Sequence, residues 1–476
     1  MKSIRLIALG ILSLIPYLVA LRLQDLRQNT VGFELAFIAA FAVYVVAVVL
    51  ILRENNASPS LVTRHVSLVF AFAILFNAIL VFTPPTLSDD MYRYVWDGRV
   101  QAHGINPYAY PPGAPQLDNL RDPTISVHIN RPDAVTVYPA GAELAYAAIW
   151  RVVPDNVRWF QIVMAAGNIL AGVLLVGLLR ALGKPAHWVL IYLWNPLVIF
   201  ETAHSAHVDG LVLPLLVAAW LARAKGRDGW VGVFLGAAAT LKLYPALLLP
   251  ALWRARDDRE SLRPAWQMPL AFAATFAATY IPYLSQGAGV VGFLPQYFNE
   301  RFNMSLAGVV TDLIERPPAP IFQAISRWAG GSGAHVVTLL LLGTLAIIGL
   351  ACVLRPAANA EQAIRRSIWL IGAFTLLSQN LFPWYMLWLA PLLALFVRPG
   401  KFGLAFDAWT GWFLYSGLVA LAYTFFIAWT PVAWAQWLEF TPLYAFLILP
   451  WLLNLFTRVR AHVGAFERSN VFERNA

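Results

Sequence analysis

The chain has 476 residues, of which 59% are hydrophobic and 12% charged. An ordinary soluble domain is about a quarter charged, so this composition excludes a water-soluble enzyme, a disordered chain and a secreted disulfide scaffold. The single cysteine, Cys352, sits in an apolar run as a packing residue and excludes both an internal disulfide and a cysteine-based metal site.

At about 20 residues per membrane span, the apolar runs predict helices at 4–23, 33–52, 66–83, 158–179, 187–202 and 208–223, then a divided segment at 229–254. Further helices are expected at 267–284, 336–354, 366–381, 382–397, 402–424 and 441–457. The expected fold class is an all-α polytopic membrane protein with about 12–14 transmembrane helices. The first run carries Lys2 and Arg5 like a signal peptide, but it is longer than a typical signal h-region and leads straight into a second span. It therefore counts as a retained helix.

In the segment 229–254, Lys242 and the pair Tyr244-Pro245 interrupt the middle, leaving two halves too short to cross a ~30 Å core. Both flanks are basic: Arg223, Lys225 and Arg227 precede it, and Arg254, Arg256, Arg259 and Arg263 follow. A re-entrant hairpin of short helices, returning to the side it came from, fits both facts. With the N-terminus inside, about two-thirds of the 34 Lys and Arg residues fall on inner segments. Topology thus accounts for the excess of Lys and Arg over the 25 Asp and Glu, with no nucleic-acid partner. Reading 138–153 as a span would destroy this asymmetry, so it is expected as a helix along the outer surface. Two large loops, 84–157 and 285–335, then share the outer side, whereas the tail 458–476 lies inside with the N-terminus.

The strongest local signal is Ser88 to Pro112, SDDMYRYVWDGRVQAHGINPYAYPP. Ser88 suits a helix N-cap, and Asp89 and Asp90 sit in the first turn, where negative charge is favourable. Arg93 and Asp97 have i,i+4 spacing for an ion pair. Gly104 and Asn106-Pro107 end the helix. The bland interpretation is a cap with a surface ion pair, but two carboxylates at the exit of a span also suit a general base or a divalent-ion site.

This run, followed by Tyr138-Pro139, resembles the first extracytoplasmic loop of bacterial GT-C glycosyltransferases, most closely the polyprenol-phosphate-mannose-dependent mannosyltransferases of glycosyltransferase family 87. Sparser markers extend the resemblance along the chain: Asn195-Pro196, His204 with His207 and Asp209, Lys242 with Tyr244-Pro245, Arg301-Phe302-Asn303 and Pro383-Trp384-Tyr385. The resemblance implies a GT-C bundle in a bacterial inner membrane with a periplasmic active site. It also implies a base at Asp89 or Asp90, a polyprenyl-phosphate sugar donor, and a glycolipid or polysaccharide acceptor. Arg93, Asp97, Asn106, Tyr108 and Tyr138 are then expected to bind substrate.

Cations must stabilise the departing lipid phosphate. Lys242, costly inside an apolar stretch, is the first candidate, with Tyr244 beside it, and Arg301 in the second outer loop is another. The rival role for Lys242 is pairing with a buried acid such as Glu201 or Asp209. His204 and His207, three apart on an expected helical face, suit a metal with Asp209, or sugar and phosphate hydrogen bonds. The latter is preferred, because this chemistry requires no cofactor, although a divalent cation is compatible with it. Asn303 is expected to touch substrate, as are Trp384 and Tyr385 by ring stacking, while Trp429, Trp434 and Trp437 suit an interfacial aromatic girdle. A lipid-linked sugar transporter or flippase would share the many spans and the intramembrane lysine.

Overall fold

Six of the apolar runs form helices long and apolar enough to cross a membrane among the residues that the computed structural model describes, 3–54, 58–253, 266–297, 300–401 and 403–474. They are Ser3–Leu23, Thr30–Leu52, Pro59–Val81, Val157–Ala181, Gly333–Leu354 and Ala408–Ala428. The protein is thus an all-α polytopic membrane protein. The only strands among the described residues are the two-residue arms of a hairpin, Pro399–Gly400 with Gly403–Leu404.

Several of the remaining expected spans are short or broken rather than full helices. Where 187–202 was expected to be one span, the chain makes a 3-10 turn at Ala186–Val189, single helical turns at Leu190–Leu193 and Pro196–Ile199, and a π turn at Phe200–His204. The cause is local: Asn195 precedes a proline, which disfavours helical backbone, and its Oδ1 accepts from the Leu197 amide instead (3.0 Å). The expected span 382–397 is likewise a 3-10 helix, Pro383–Trp388, followed by Ala390–Phe396. Every residue in 191–210 and in 383–397 is buried. Irregular backbone at membrane depth is tolerated where protein, not lipid, surrounds it, and Thr30–Leu52, Pro59–Val81 and Val157–Ala181 pack around the broken segment 186–204. The run expected at 402–424 starts as a helix only at Ala408, where the Asp407 side chain accepts from the Trp409 and Thr410 amides. The last helix, Ala433–Arg474, runs through both the expected span 441–457 and most of the expected tail 458–476, whose residues 475–476 lie outside the described residues.

Glycines set the tightest contacts. A Cβ on Gly167 would land on the carbonyl of Gly210, so Val157–Ala181 and Asp209–Ala224 approach backbone to backbone. Gly232 meets Met268 and Ala271, and Gly236 meets Phe272 and Thr275, so Asp228–Leu241 and Gln267–Tyr280 run parallel. Parallel neighbours require the chain between them to return to its starting side, as the hairpin assignment expected. Its apex is Lys242, whose extended backbone (φ −157°, ψ 133°) ends the first helix. The second half is a 3-10 helix, Tyr244–Leu248, and one turn, Leu249–Leu252. The basic flank Arg254, Arg256, Arg259 and Arg263 lies outside the described residues.

The first large loop is an ordered subdomain. Its helix Asp90–Ala102 packs on Ala140–Val152, the segment expected to be a surface helix. Buried Arg99 ties the loop together by bonding the Leu120 carbonyl (2.8 Å), Asp155 (2.7 Å) and Asp122. The second loop carries the helices Leu306–Glu315 and Pro320–Trp328.

Candidate active site

A cavity of about 460 Å³ opens at the end of the bundle that carries the two large loops, between the loop helix Asp90–Ala102 and the Lys242 apex. Its wall combines the charged residues Asp89, Asp90, Arg27, Arg93, Arg131 and Lys242 with the apolar residues Leu247, Leu341, Leu342, Leu345 and Phe374. Leu342 is exposed on the outer surface of the candidate span Gly333–Leu354, so the cavity wall extends to that apolar surface.

The two adjacent carboxylates differ in their surroundings. Asp89, rather than Ser88, occupies the N-cap position; it makes no capping bond and instead takes an ion pair from Arg27 (2.8 Å). Ser88 Oγ accepts weakly from the Asp90 amide (3.3 Å). Asp90 Oδ1 accepts from the Asn130 side chain (2.8 Å), and its Oδ2 faces His207 Nδ1 at 3.8 Å. Among the described residues no Lys or Arg is paired with Asp90.

Lys242 meets the acid foreseen for it and lines the cavity as well. Its Nζ donates to Asp209 Oδ2 at 2.6 Å and lies over the rings of Tyr385 (5.3 Å) and Trp388 (5.5 Å). Trp388 Nε1 donates to the other Asp209 oxygen (2.8 Å), and Tyr244 stacks on Trp388 with centroids 3.8 Å apart. The rings therefore hold an ammonium with two spare donors at the cavity wall. Arg93 is fixed by Asp97 (2.9 and 3.0 Å to its two oxygens) and by the Ala134 carbonyl, leaving a buried Nη2 without a partner. Trp384 and Tyr385 line the same wall: Trp384 stacks on His207 (3.9 Å), and Tyr385 bonds the Tyr297 hydroxyl (2.8 Å). Tyr138 lines the cavity from the loop side.

Other expected site residues lie elsewhere. Arg301 is engaged by Glu315 (2.6 Å) on the surface, and Asn303 is buried against Glu439 (2.9 Å). Asn106 caps a turn at Tyr108, whose hydroxyl donates to the Tyr138 carbonyl (2.7 Å); neither residue lines the cavity. Asp97 belongs to a buried pair with Arg93 instead of a surface one. His204 and His207 do not share a helical face, because Ala206 has a positive φ (54°) that breaks the turn between them. His204 bonds Thr83 Oγ1 (2.6 Å), His207 lies between Asp90 and Glu201, and Asp209 holds Lys242. Among the described residues no group of three or more His, Cys, Asp or Glu is arranged to hold a metal ion.

Arg27, Asn130, Arg131 and Tyr297 went unmarked in the sequence although all line the cavity. Arg131 reaches it from the first loop, paired with Glu300 of the second (2.7 Å) and lying over Phe293. Their one visible signal was cationic or polar character in loops on the same side as Asp89.

Two predictions follow from placement alone. Arg301→Ala leaves the transfer rate and donor affinity unchanged and alters stability by less than about 1 kcal/mol, since an exposed ion pair is worth little; steady-state kinetics and thermal unfolding check this. Glu143, on Ala140–Val152, is buried behind the loop helix, and burial together with the charge of Asp97 pushes its carboxyl well above the usual carboxylate range. The fold therefore favours protonated Glu143, a contribution present below the unfolded carboxylate pKa and lost as pH rises through the raised folded value. Glu143→Gln should remove this loss, so that its melting temperature exceeds the wild type's under alkaline conditions but not under acidic ones.

A bundle of broken helices around a cavity that joins carboxylates and cations to the lipid suits an enzyme acting on a lipid-anchored substrate. Residues 13–256 match the family described as "Alpha-(1->6)-mannopyranosyltransferase, N-terminal domain", and residues 137–379 match "Glycosyltransferase family 87". Each match spans just over half of the chain, and the chain belongs to these families as a mannosyltransferase-like GT-C glycosyltransferase. A comparison with curated proteins gives no match. Family membership decides for an enzyme over the transporter that the same spans would also suit.

Proposed function

We propose that the protein transfers a hexose, mannose first among the candidates, from a polyprenyl-phosphate donor to a hydroxyl of a glycolipid or polysaccharide, with inversion. The reaction is placed on the periplasmic face of a bacterial inner membrane, with both termini cytoplasmic. The observation that carries this proposal is a cavity whose wall combines Asp90, Lys242 and Arg93 with apolar side chains that include the surface-exposed Leu342. A polyprenyl chain lies along the apolar side chains and leaves its phosphate sugar among Lys242, Arg93 and Arg131.

Asp90 is the base, because its Oδ2 is not claimed by an arginine as an Asp89 oxygen is by Arg27. It takes the acceptor's hydroxyl proton; the oxygen's electron pair forms the new bond at the anomeric carbon, and the bond to phosphate oxygen breaks with its electrons leaving on polyprenyl phosphate. Lys242 and the free Nη2 of Arg93 meet the charge that develops on that phosphate. Tyr244 braces Trp388 beside Lys242, and Trp384, Tyr385 and Tyr138 form the wall against which the sugar lies.

With this many cations around the phosphate, no cofactor is required, and transfer is expected to persist in a chelator. Purified protein incubated with a panel of polyprenyl-phosphate sugars tests the proposal. Consumption of the mannose donor with release of polyprenyl phosphate supports it, whereas consumption of nucleotide sugars alone overturns it.

A further inference from the structure

Behind Asp90 lies a set of buried groups that the reaction as described does not use. His207 is 1% exposed, with its ring clamped against Trp384. Its Nδ1 faces Asp90 Oδ2 at 3.8 Å, and its Nε2 faces Glu201 Oε2 at 3.3 Å. Glu201 is fully buried, and its other oxygen accepts from the Tyr423 hydroxyl at 2.7 Å. A buried carboxylate without a nearby arginine or lysine is costly to keep unless something returns the energy. Here the π turn Phe200–His204 and the left-handed Ala206 bring Glu201 and His207 back to face one another.

We infer that Glu201 is a positioning residue for the transfer reaction, acting through His207 on the Asp90 carboxylate. Glu201 accepts a hydrogen bond from His207 Nε2–H and so fixes one tautomer, leaving the Nδ1 lone pair towards Asp90. That lone pair forms no bond to the ionised carboxylate, so it acts on the protonated form that the transfer step creates. When Asp90 picks up the proton, Nδ1 is set to accept a hydrogen bond from the protonated carboxyl, and the charge that this draws onto the ring lies against Glu201. Neither contact of the His207 ring is a formed hydrogen bond in this arrangement, at 3.8 Å to Asp90 and 3.3 Å to Glu201, and such contacts commonly tighten when substrate fills the site. Tyr423 completes the arrangement by holding Glu201 from the opposite side.

The inference rests on Asp90 being the base, and the experiment separates the two. Asp90→Asn, Glu201→Gln, His207→Gln, the Glu201→Gln/His207→Gln double variant and Tyr423→Phe are compared in kcat, KM for donor and acceptor, and thermal unfolding. Glu201→Gln is expected to lower kcat by about 10- to 100-fold with both KM values unchanged. The double variant should be no slower than His207→Gln, because the two residues act as one unit. A wild-type kcat for Glu201→Gln, a raised donor KM in its place, or additive losses in the double variant overturn the positioning role. Should Glu201→Gln fail to insert, Tyr423→Phe decides: a several-fold fall in kcat at constant KM supports the role, and an unchanged kcat overturns it. If Asp90→Asn keeps the wild-type rate, the assignment of the base fails and the inference goes with it. If Asp90→Asn is inactive while Glu201→Gln is not impaired, the positioning role alone fails.

Discussion

Asp90→Asn should lower kcat by about 10²- to 10⁴-fold, the usual contribution of a positioned general base, while donor affinity and thermal stability stay near wild type. The amide is nearly isosteric with the carboxylate and can still engage Asn130, so what is lost is the capacity to take a proton. Asp89→Asn should act differently. Its carboxylate is paired with Arg27, and the substitution frees that guanidinium without removing the base, so the loss should be nearer tenfold and appear partly in KM. Transfer assays with a labelled polyprenyl-phosphate sugar, alongside donor binding to both variants, check the contrast. Equal loss of kcat in the two would show that the acids work as a pair and that Asp90 has no separate role.

The second large effect is expected at Lys242. Lys242→Met removes a cation from the cavity and leaves Asp209, which is 0% exposed, with only the Trp388 indole as partner. Breaking a buried pair from one side costs about 3–5 kcal/mol, because the remaining charge is uncompensated. The single variant should therefore insert poorly or unfold well below the wild-type temperature. Adding Asp209→Asn removes the stranded charge, so Lys242→Met/Asp209→Asn should recover most of the stability. It should not recover transfer, since the donor phosphate still lacks its ammonium. Unfolding and kinetic measurements on the two single variants and the double separate the structural part of Lys242 from its part in binding; full activity in the refolded double variant would remove Lys242 from the donor site.

Several features of the site were legible because they are local. The loop helix, its Arg93–Asp97 pair and its stop near Gly104 follow from i,i+4 spacing and from the Gly and Asn-Pro stop signals, which act within a few residues, although the expected Ser88 cap does not form. The reversal at Lys242 was visible as a charge and a proline in an apolar stretch, and the parallel packing of Asp228–Leu241 with Gln267–Tyr280 accords with it. Hydropathy alone could not tell a lipid-facing span from a broken segment buried by others. Both are apolar, and the difference lies in what surrounds them, as 191–210 and 383–397 show. Arg27 and Arg131 went unmarked beside Arg301 for the same reason. All are loop cations, and which of them hangs over the cavity depends on how the two loops pack, not on spacing.

By itself, then, the sequence determined the solvent in which the chain folds, the class of fold, and the acids and lysine from which a lipid-phosphate glycosyltransferase would be built, because hydrophobicity, charge placement and capping are properties of short segments. Tertiary structure alone decided that Asp89 faces Arg27 while Asp90 faces His207, that Lys242 is both paired and available, and that His204, His207 and Asp209 serve three different partners. These are contacts between residues up to 121 positions apart. Their distances are set by glycine-mediated helix packing and by irregular turns buried at the centre of the bundle, which no local pattern encodes.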